Sequence, residues 1–294
     1  MKRAIVLLML LPTPCLAAND FSEDVNCVAL YTGEGNNAGK LYDFHADANN
    51  TINIGFAGVP YDVNEGYYKE GTKSRVIKTG AMTATLADAS LGPASFPQKV
   101  GNTCEAISVC AWLMPFSATV AQHHVVNKKY STTDTGWSLT LDGALDPNRF
   151  EFSIGYNAGA NEETFTDTST AIVNKQWYHV GCTYEASSKA WRIRVYDDNG
   201  ESINESTGTG SQTMDANTNN DLCVFNAGHW VLNTPFYGWY DEIVIFNDIL
   251  TTNEIDQIRK GIYPSAGAQT MPLLLVKDYP IGRELVSYIN FPVN

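Results

Sequence analysis

The residues of this chain that could do chemistry are few, and most stand where geometry works against them. Paired carboxylates can serve as nucleophile and proton donor at a glycosidic bond. The nearest such pair is Glu254-Ile-Asp256, within Glu254-Ile-Asp-Gln-Ile-Arg259. It falls on a predicted helix, where Glu254 has a capping role, so it is read as structural. His123 and His124 are adjacent. On a strand they face opposite sides and make a poor joint metal site. The sequence holds neither a Gly-x-Ser-x-Gly elbow nor a zinc-ligand spacing. No residue is assigned a catalytic role. Sugar binding needs a different set, aromatic faces beside amides and carboxylates that bond hydroxyls. His229-Trp230-Val-Leu-Asn233 brings such types together, and Tyr130 with Trp137 forms a second neighbourhood. Trp230, His229, Asn233, Tyr130 and Trp137 are therefore the candidate ligand-binding residues. Trp112 and Trp177 are read as core, the usual fate of Trp in a sandwich.

Strands must position these groups. Short apolar runs are predicted over 27–31, 51–56, 81–86, 106–114, 137–141 and 150–156. Others follow over 177–184, 191–196, 222–226 and 237–246. Clusters of Gly, Asn, Asp, Ser and Thr separate them, and these residues favour turns. Asp197-Asp-Asn-Gly200 suggests a hairpin closed by a type I′ Asn-Gly turn. Residues 200–220 are polar and read as a long exposed loop. On the strand ending at Phe246, Ile243 and Ile245 point one way and Val244 and Phe246 the other, the pattern of a strand covered on both faces. A capped helix follows. Thr251 fits the N-cap and Glu254 the N3 position of a capping box. Ile255, Ile258 and Ile262 fall at helical spacing, Gly261 suits a left-handed C′ position, and Pro264 blocks continuation. Many short strands without helical crossovers imply a sandwich or barrel.

Residues 1–18 read as a signal peptide: Lys2 and Arg3, an apolar run from Ala4 to Leu11, and small residues near Ala18. Pro14 before Cys15 argues against a lipid anchor. No later segment is long and apolar enough to span a membrane. The chain of 294 residues carries a net charge of −13, and losing Lys2 and Arg3 takes it to −15. That weighs against nucleic acid or an anionic membrane as partner. The balance suits solubility, and a divalent cation is a sharper reading of it. Cys27, Cys104, Cys110, Cys182 and Cys223 remain after cleavage. A secreted chain would pair them, leaving two bridges and one odd thiol with open connectivity.

Several segments, taken in order, resemble the laminin-G-like, concanavalin A-like lectin/glucanase domains. Cys27-Val-Ala-Leu-Tyr31 followed by Asp43 resembles their opening strand and acidic loop. Ile107-Ser-Val-Cys-Ala-Trp112 resembles the strand ending in Ala-Trp. Val126-Asn-Lys128 and Gly136-Trp-Ser-Leu139 resemble the next hairpin. Trp177-Tyr-His-Val180 with Thr183-Tyr184 resembles the Trp-x-His-Val strand, and Arg192 to Tyr196 with Asn199-Gly200 the hairpin after it. Phe236 to Arg259 resembles the closing strand and helix. The resemblance spans residues 27–263. It implies an all-β fold, a two-sheet antiparallel jelly-roll β-sandwich with one short helix after the last family strand. It also implies a structural Ca2+ (calcium) between the opening acidic loop and the last strand, at Asp43, Asp47 and Asp241. His179 would be a structural, hydrogen-bonding histidine at the family's Trp-x-His-Val position. Enzymes of this fold use a Glu-x-Asp-x-x-Glu strand, which Glu254 to Arg259 does not reproduce, and Arg283-Glu-Leu285 matches only a fragment of an alginate-lyase pattern.

The expected organisation is a signal peptide at 1–18, a sandwich over 19–263 with an insertion at about 58–104, and a C-terminal extension over 264–294. In the extension, 273–277 and 284–291 read as strands. The expected function is a secreted or periplasmic protein, non-catalytic, that binds a polysaccharide, another glycan or an extracellular protein. The alternative is a structural or adhesion protein that self-associates through the extension and the spare cysteine. A polysaccharide-degrading enzyme of the same fold is the third reading.

Overall fold

Alternation along Trp137-Ser-Leu-Thr-Leu-Asp142 sets the architecture. Trp137, Leu139 and Leu141 are buried in the main core, which turns Ser138, Thr140 and Asp142 to the opposite face of the same strand. The computed structural model describes residues 19–21, 24–32, 40–41, 52–56, 63–64, 69, 74–77, 82–86, 99–100, 103–116, 122–128, 136–145, 147–157, 161–214, 222–224, 236–263, 272–273 and 289–290.

In chain order the strands are β1 (Cys27–Tyr31), β2 (Lys40–Leu41), β3 (Ile52–Phe56), β4 (Val63–Asn64), β5 (Ser74–Ile77) and β6 (Met82–Leu86). A short pair follows, β7 (Lys99–Val100) and β8 (Thr103–Cys104). Then come β9 (Ala106–Pro115), β10 (Gln122–Asn127), β11 (Gly136–Asp142), β12 (Arg149–Tyr156) and β13 (Asn161–Thr166). The rest are β14 (Tyr178–Glu185), β15 (Ala190–Asp197), β16 (Ser202–Thr209), β17 (Leu222–Val224) and β18 (Gly238–Phe246). Helix α1 (Thr252–Arg259) follows, then β19 (Pro272–Leu273) paired with β20 (Ile289–Asn290). The first large sheet runs β16-β15-β14-β9-β18-β5-β4, with β1 also on β18. The second runs β13-β12-β11-β10-β17-β6-β3-β2. The main core fills the space between them, with Trp137 stacked on Phe152 and Phe165 on Tyr184.

A smaller core lies on the outer side of the first sheet, under α1. Ile243 and Ile245 face the main core, while Val244 and Phe246 join Ile255, Ile258 and Tyr263 in the smaller one. The two-sided strand is thus as expected. The capping box is present: Thr251 accepts from the Glu254 amide at 3.2 Å, and Glu254 accepts from the Thr251 amide at 2.7 Å. Gly261, at φ 67°, ends the helix. The amides of Gly261 and Ile262 reach the carbonyls of Ile258 and Gln257, the Schellman pattern. Ile262 lies beyond the helix and is exposed, not part of its buried stripe. Gly181 lets the helix approach, since a Cβ there would lie 2.6 Å from Ile255 Cγ2. Arg194 locks the contact by donating through Nε and Nη2 to the two oxygens of Asp256, at 3.1 and 2.7 Å. Burial would raise the Asp256 carboxyl, yet the Arg194 bonds and charge hold it below its ordinary range.

Two expectations need correction. Residues 202–209 form β16, paired along its length with β15, where a loop was expected. The hairpin closes Asp197 against Ser202, so four residues form the turn, and the left-handed residue is Glu201, at φ 48°, instead of the Asn-Gly pair. Within 58–104, β5 pairs with β18 in the first sheet and β6 with β17 and β3 in the second. Cys110 and Cys182 are buried thiols. Burial pushes both thiols up, away from the reactive thiolate.

Candidate functional site

The outer face of the second sheet carries a polar cleft. Its floor is Ser138 and Thr140 from β11, Ser153 from β12, and Gln122, His124 and Asn127 from β10, with Glu162 of β13 at one side. Its enclosed part is small, about 10 Å³, room for about one water molecule. Register explains the assembly. His124 lies opposite Thr140, Thr140 opposite Glu151, and Glu151 opposite Thr166. One step along, Asn127, Ser138, Ser153 and Thr164 form a parallel row. A bulge after His124 in β10 keeps Asn127 on the same face as His124.

The polar groups are mostly committed to one another. Glu151 accepts from Thr166 Oγ1 at 2.9 Å and from Gln122 Nε2 at 3.1 Å, one bond on each oxygen. The hydroxyls of Ser153 and Thr164 are 3.0 Å apart. Asp142 accepts from the Ala144 amide at 2.7 Å. Thr140 differs: it is only 2% exposed, and its Oγ1 has no hydrogen-bond partner among the described residues. A buried hydroxyl left so costs about 1–3 kcal/mol. Burial, with the negative charges of Asp142 and Glu162, raises the Glu151 carboxyl despite its two hydrogen bonds.

Of the ligand-binding residues expected from sequence, only Trp137 falls among the described residues. Trp137 is fully buried and stacked on Phe152, so it is core and cannot lie against a ligand. Tyr130, His229, Trp230 and Asn233 lie outside the described residues, as do Asp43 and Asp47. Asp241 is buried; its Oδ2 accepts the Lys69 amide at 2.7 Å and its Oδ1 the Glu242 amide at 2.8 Å. Among the described residues no three His, Cys, Asp or Glu side chains gather to hold a metal ion. Glu254 and Asp256 are spent on capping and on Arg194. His179 packs on Trp112, with ring centres 5.2 Å apart, and burial and then Arg259 push its pKa down to about 3. Trp112 and Trp177 are buried, though on the outer face of the first sheet, with the Lys69 ammonium 5.2 Å from the Trp112 ring. The cleft itself escaped sequence reading. Its one trace is the small or charged residue at every second position of Trp137 to Asp142 and Phe150 to Ile154.

Comparison with known proteins now bears on the class. A family model for the concanavalin A-like lectin/glucanases superfamily matches residues 88–256, more than half of the chain. The chain belongs to this superfamily. Comparison with curated proteins gives no match. Among solved structures, it is similar to the CBM40 of Ruminococcus gnavus IT-sialidase bound to α2,3-sialyllactose, at 14% identity and TM-score 0.42, over 53% of this chain and 83% of that one. It is also similar to the binding domain of botulinum neurotoxin DC in complex with SialylT, at 11% identity and TM-score 0.47, over 81% of this chain and 52% of that one. The receptor binding domain of botulinum neurotoxin D is 12% identical at TM-score 0.48, over 80% and 52% respectively. The superfamily member described here thus spans about half the length of these toxin chains. Among the described residues no helix is long and apolar enough to cross a membrane.

Proposed function

We propose that this superfamily member is a secreted, non-catalytic carbohydrate-binding protein whose ligand lies along the cleft on the second sheet. The observation that carries the reading is the Thr140 hydroxyl, buried and unpartnered on the cleft floor. A sugar hydroxyl is both donor and acceptor and would supply the missing bond. The surrounding Ser138, Ser153, Asn127 and Gln122 extend the same chemistry over one face. The superfamily's lectins make a glycan the natural class of ligand.

Its glucanases make hydrolysis the competing reading, and Glu151 is where that would have to happen. A raised carboxyl in a cleft is the expected sign of a general acid. Here each oxygen of Glu151 already accepts a side-chain hydrogen bond. Asp142, the neighbouring acid, has one oxygen taken by the Ala144 amide. Neither is a free acid turned toward a bond to be cut, which favours binding without turnover. For secretion, Asn19 supports the reading. The first residue after the expected cleavage point, it donates to Glu242 at 2.6 Å and accepts from the Tyr263 amide at 2.8 Å, so a chain trimmed at Ala18 keeps these contacts.

Thr140→Val tests the proposal. Valine keeps the shape and removes the hydroxyl. The variant should melt at a higher temperature, by about 1 kcal/mol of stability, while oligosaccharide affinity measured by calorimetry falls. A variant that binds a polysaccharide panel as the parent does would remove the cleft as the site. Release of reducing sugar from that panel by the parent would favour the glucanase reading.

A further inference from the structure

Helix α1 is held to the sandwich more lightly than the central strands are. Among the described residues no backbone hydrogen bond joins it to the sheet. Its buried side chains are Ile255 and Ile258. Its polar ties are Arg194 on β15, which donates to both oxygens of Asp256, and Asn19, which donates to the Ile258 carbonyl at 2.8 Å. A unit with so few buried contacts opens at lower cost than the sheets do. Under it lies an imidazole. His179 and Gly181 share one face of β14, and Ile255 stands over Gly181. His179 is 2% exposed, between its register partners Trp112 on β9 and Tyr196 on β15. Arg259 of α1 lies 4.1 Å from the Tyr196 ring. The charges that face His179 are Arg259 and Asp256 from α1 and Arg194 from β15. Glu205 on β16 accepts from Arg194 Nη1 at 3.0 Å and stands 3.4 Å from Arg192 Nε. On the β9 side the neighbour is the neutral Trp112, and Lys69, ion-paired to Asp198, lies 5.2 Å from its ring.

We propose that α1 is an acid-released flap, which lifts off the first sheet as pH falls while the two sheets hold, and uncovers His179 and the smaller core. With α1 closed, a proton on His179 would stand in a dry site facing two guanidiniums and one carboxylate, so the closed state refuses it. Once α1 lifts, the imidazole meets water and takes the proton at its ordinary value. Burial first, and Arg259 second, hold the closed value down to about 3, against 6.5 in the open state. Closure therefore keeps its full stability above pH 6.5 and loses it as pH falls toward 3. The opening equilibrium rises by about tenfold for each pH unit in that window. Asp256, which burial would raise but Arg194 holds low, pushes the same way at lower pH still.

Cys110 and Cys182 make the test, since they lie in the smaller and the main core, on the two sides of the first sheet. The protein is labelled with a dipyridyl disulfide, with which thiols still react in acid, at steps from pH 6.5 down to about pH 4. Peptide mass spectrometry reads each cysteine separately. Each rate is divided by that of the same cysteine in the urea-unfolded chain at the same pH, which removes the thiol's own pH dependence. The proposal expects the normalised rate of Cys110 to rise by about tenfold or more across the window, while that of Cys182 stays low. In His179→Gln the rise of Cys110 should be much smaller, whatever the rate at the upper end of the window. A rise of Cys110 and Cys182 together would mean that the whole sandwich opens, which overturns the flap. So would a flat Cys110, or an undiminished rise in His179→Gln. The two cysteines of the parent decide the flap even where His179→Gln does not fold.

Discussion

His179 shows how one side chain can carry a measurable share of the acid response. Burial first, and then the Arg259 charge, lower its pKa from 6.5 to about 3. The unfolded chain takes up a proton below pH 6.5, whereas the folded chain does not until about pH 3. Stability present above the unfolded value is therefore lost as pH falls through that window, at about 1.4 kcal/mol per pH unit for one group. Urea unfolding of the parent and of His179→Gln between these limits should show the shallower slope in the variant. Equal slopes would mean that His179 is charged in the folded protein. The reading of this histidine as structural came from its place in the family's Trp-x-His-Val pattern. Trp137 was open to error for a different reason. An aromatic in an alternating strand is core or ligand platform depending on which face is covered, and the local sequence is the same in both cases.

At the scale of elements, the contact between α1 and the first sheet depends on Gly181. Any Cβ there meets Ile255 at 2.6 Å and comes within 3.4 Å of Cys110 Sγ. Gly181→Ala should destabilise by about 1–3 kcal/mol. Combined with Ile255→Ala, it should cost less than the two single changes added, since the second makes room for the first. Strict additivity in chemical denaturation would show that the helix already stands clear. The helix was legible to the residue, because caps are local: Thr251, Glu254 and Gly261 need only their own neighbours. Most central strands were legible too, their apolar alternation being the trace of a core. Among the strands that escaped are the sheet edges β13 and β16, and β10. Along β16 only Ser206 is buried, and along β13 only Phe165. An edge strand held by its ladder has no apolar period to read. In β10, the bulge after His124 breaks the alternation.

At the scale of the whole molecule, the cleft exists only because register aligns β10 to β13. Each polar residue on its floor looks, in its own strand, like an ordinary solvent-facing position. Thr140 becomes distinctive when His124 lies on one side of it and Glu151 on the other, a relation between residues 16 positions back and 11 ahead that no local pattern encodes. Superfamily membership was legible because its landmarks are ordered and spaced along one chain. The cleft was not, since loops and outer faces vary while the sandwich persists. The most direct measurement is amide chemical-shift mapping during titration with the oligosaccharides used in calorimetry. The account predicts that the amides of Ser138 to Asp142 and Phe150 to Ser153 shift together and saturably with whichever oligosaccharide binds. Shifts confined to residues 225–235, around Trp230, or no saturable shifts at all, would contradict a glycan site on the second sheet.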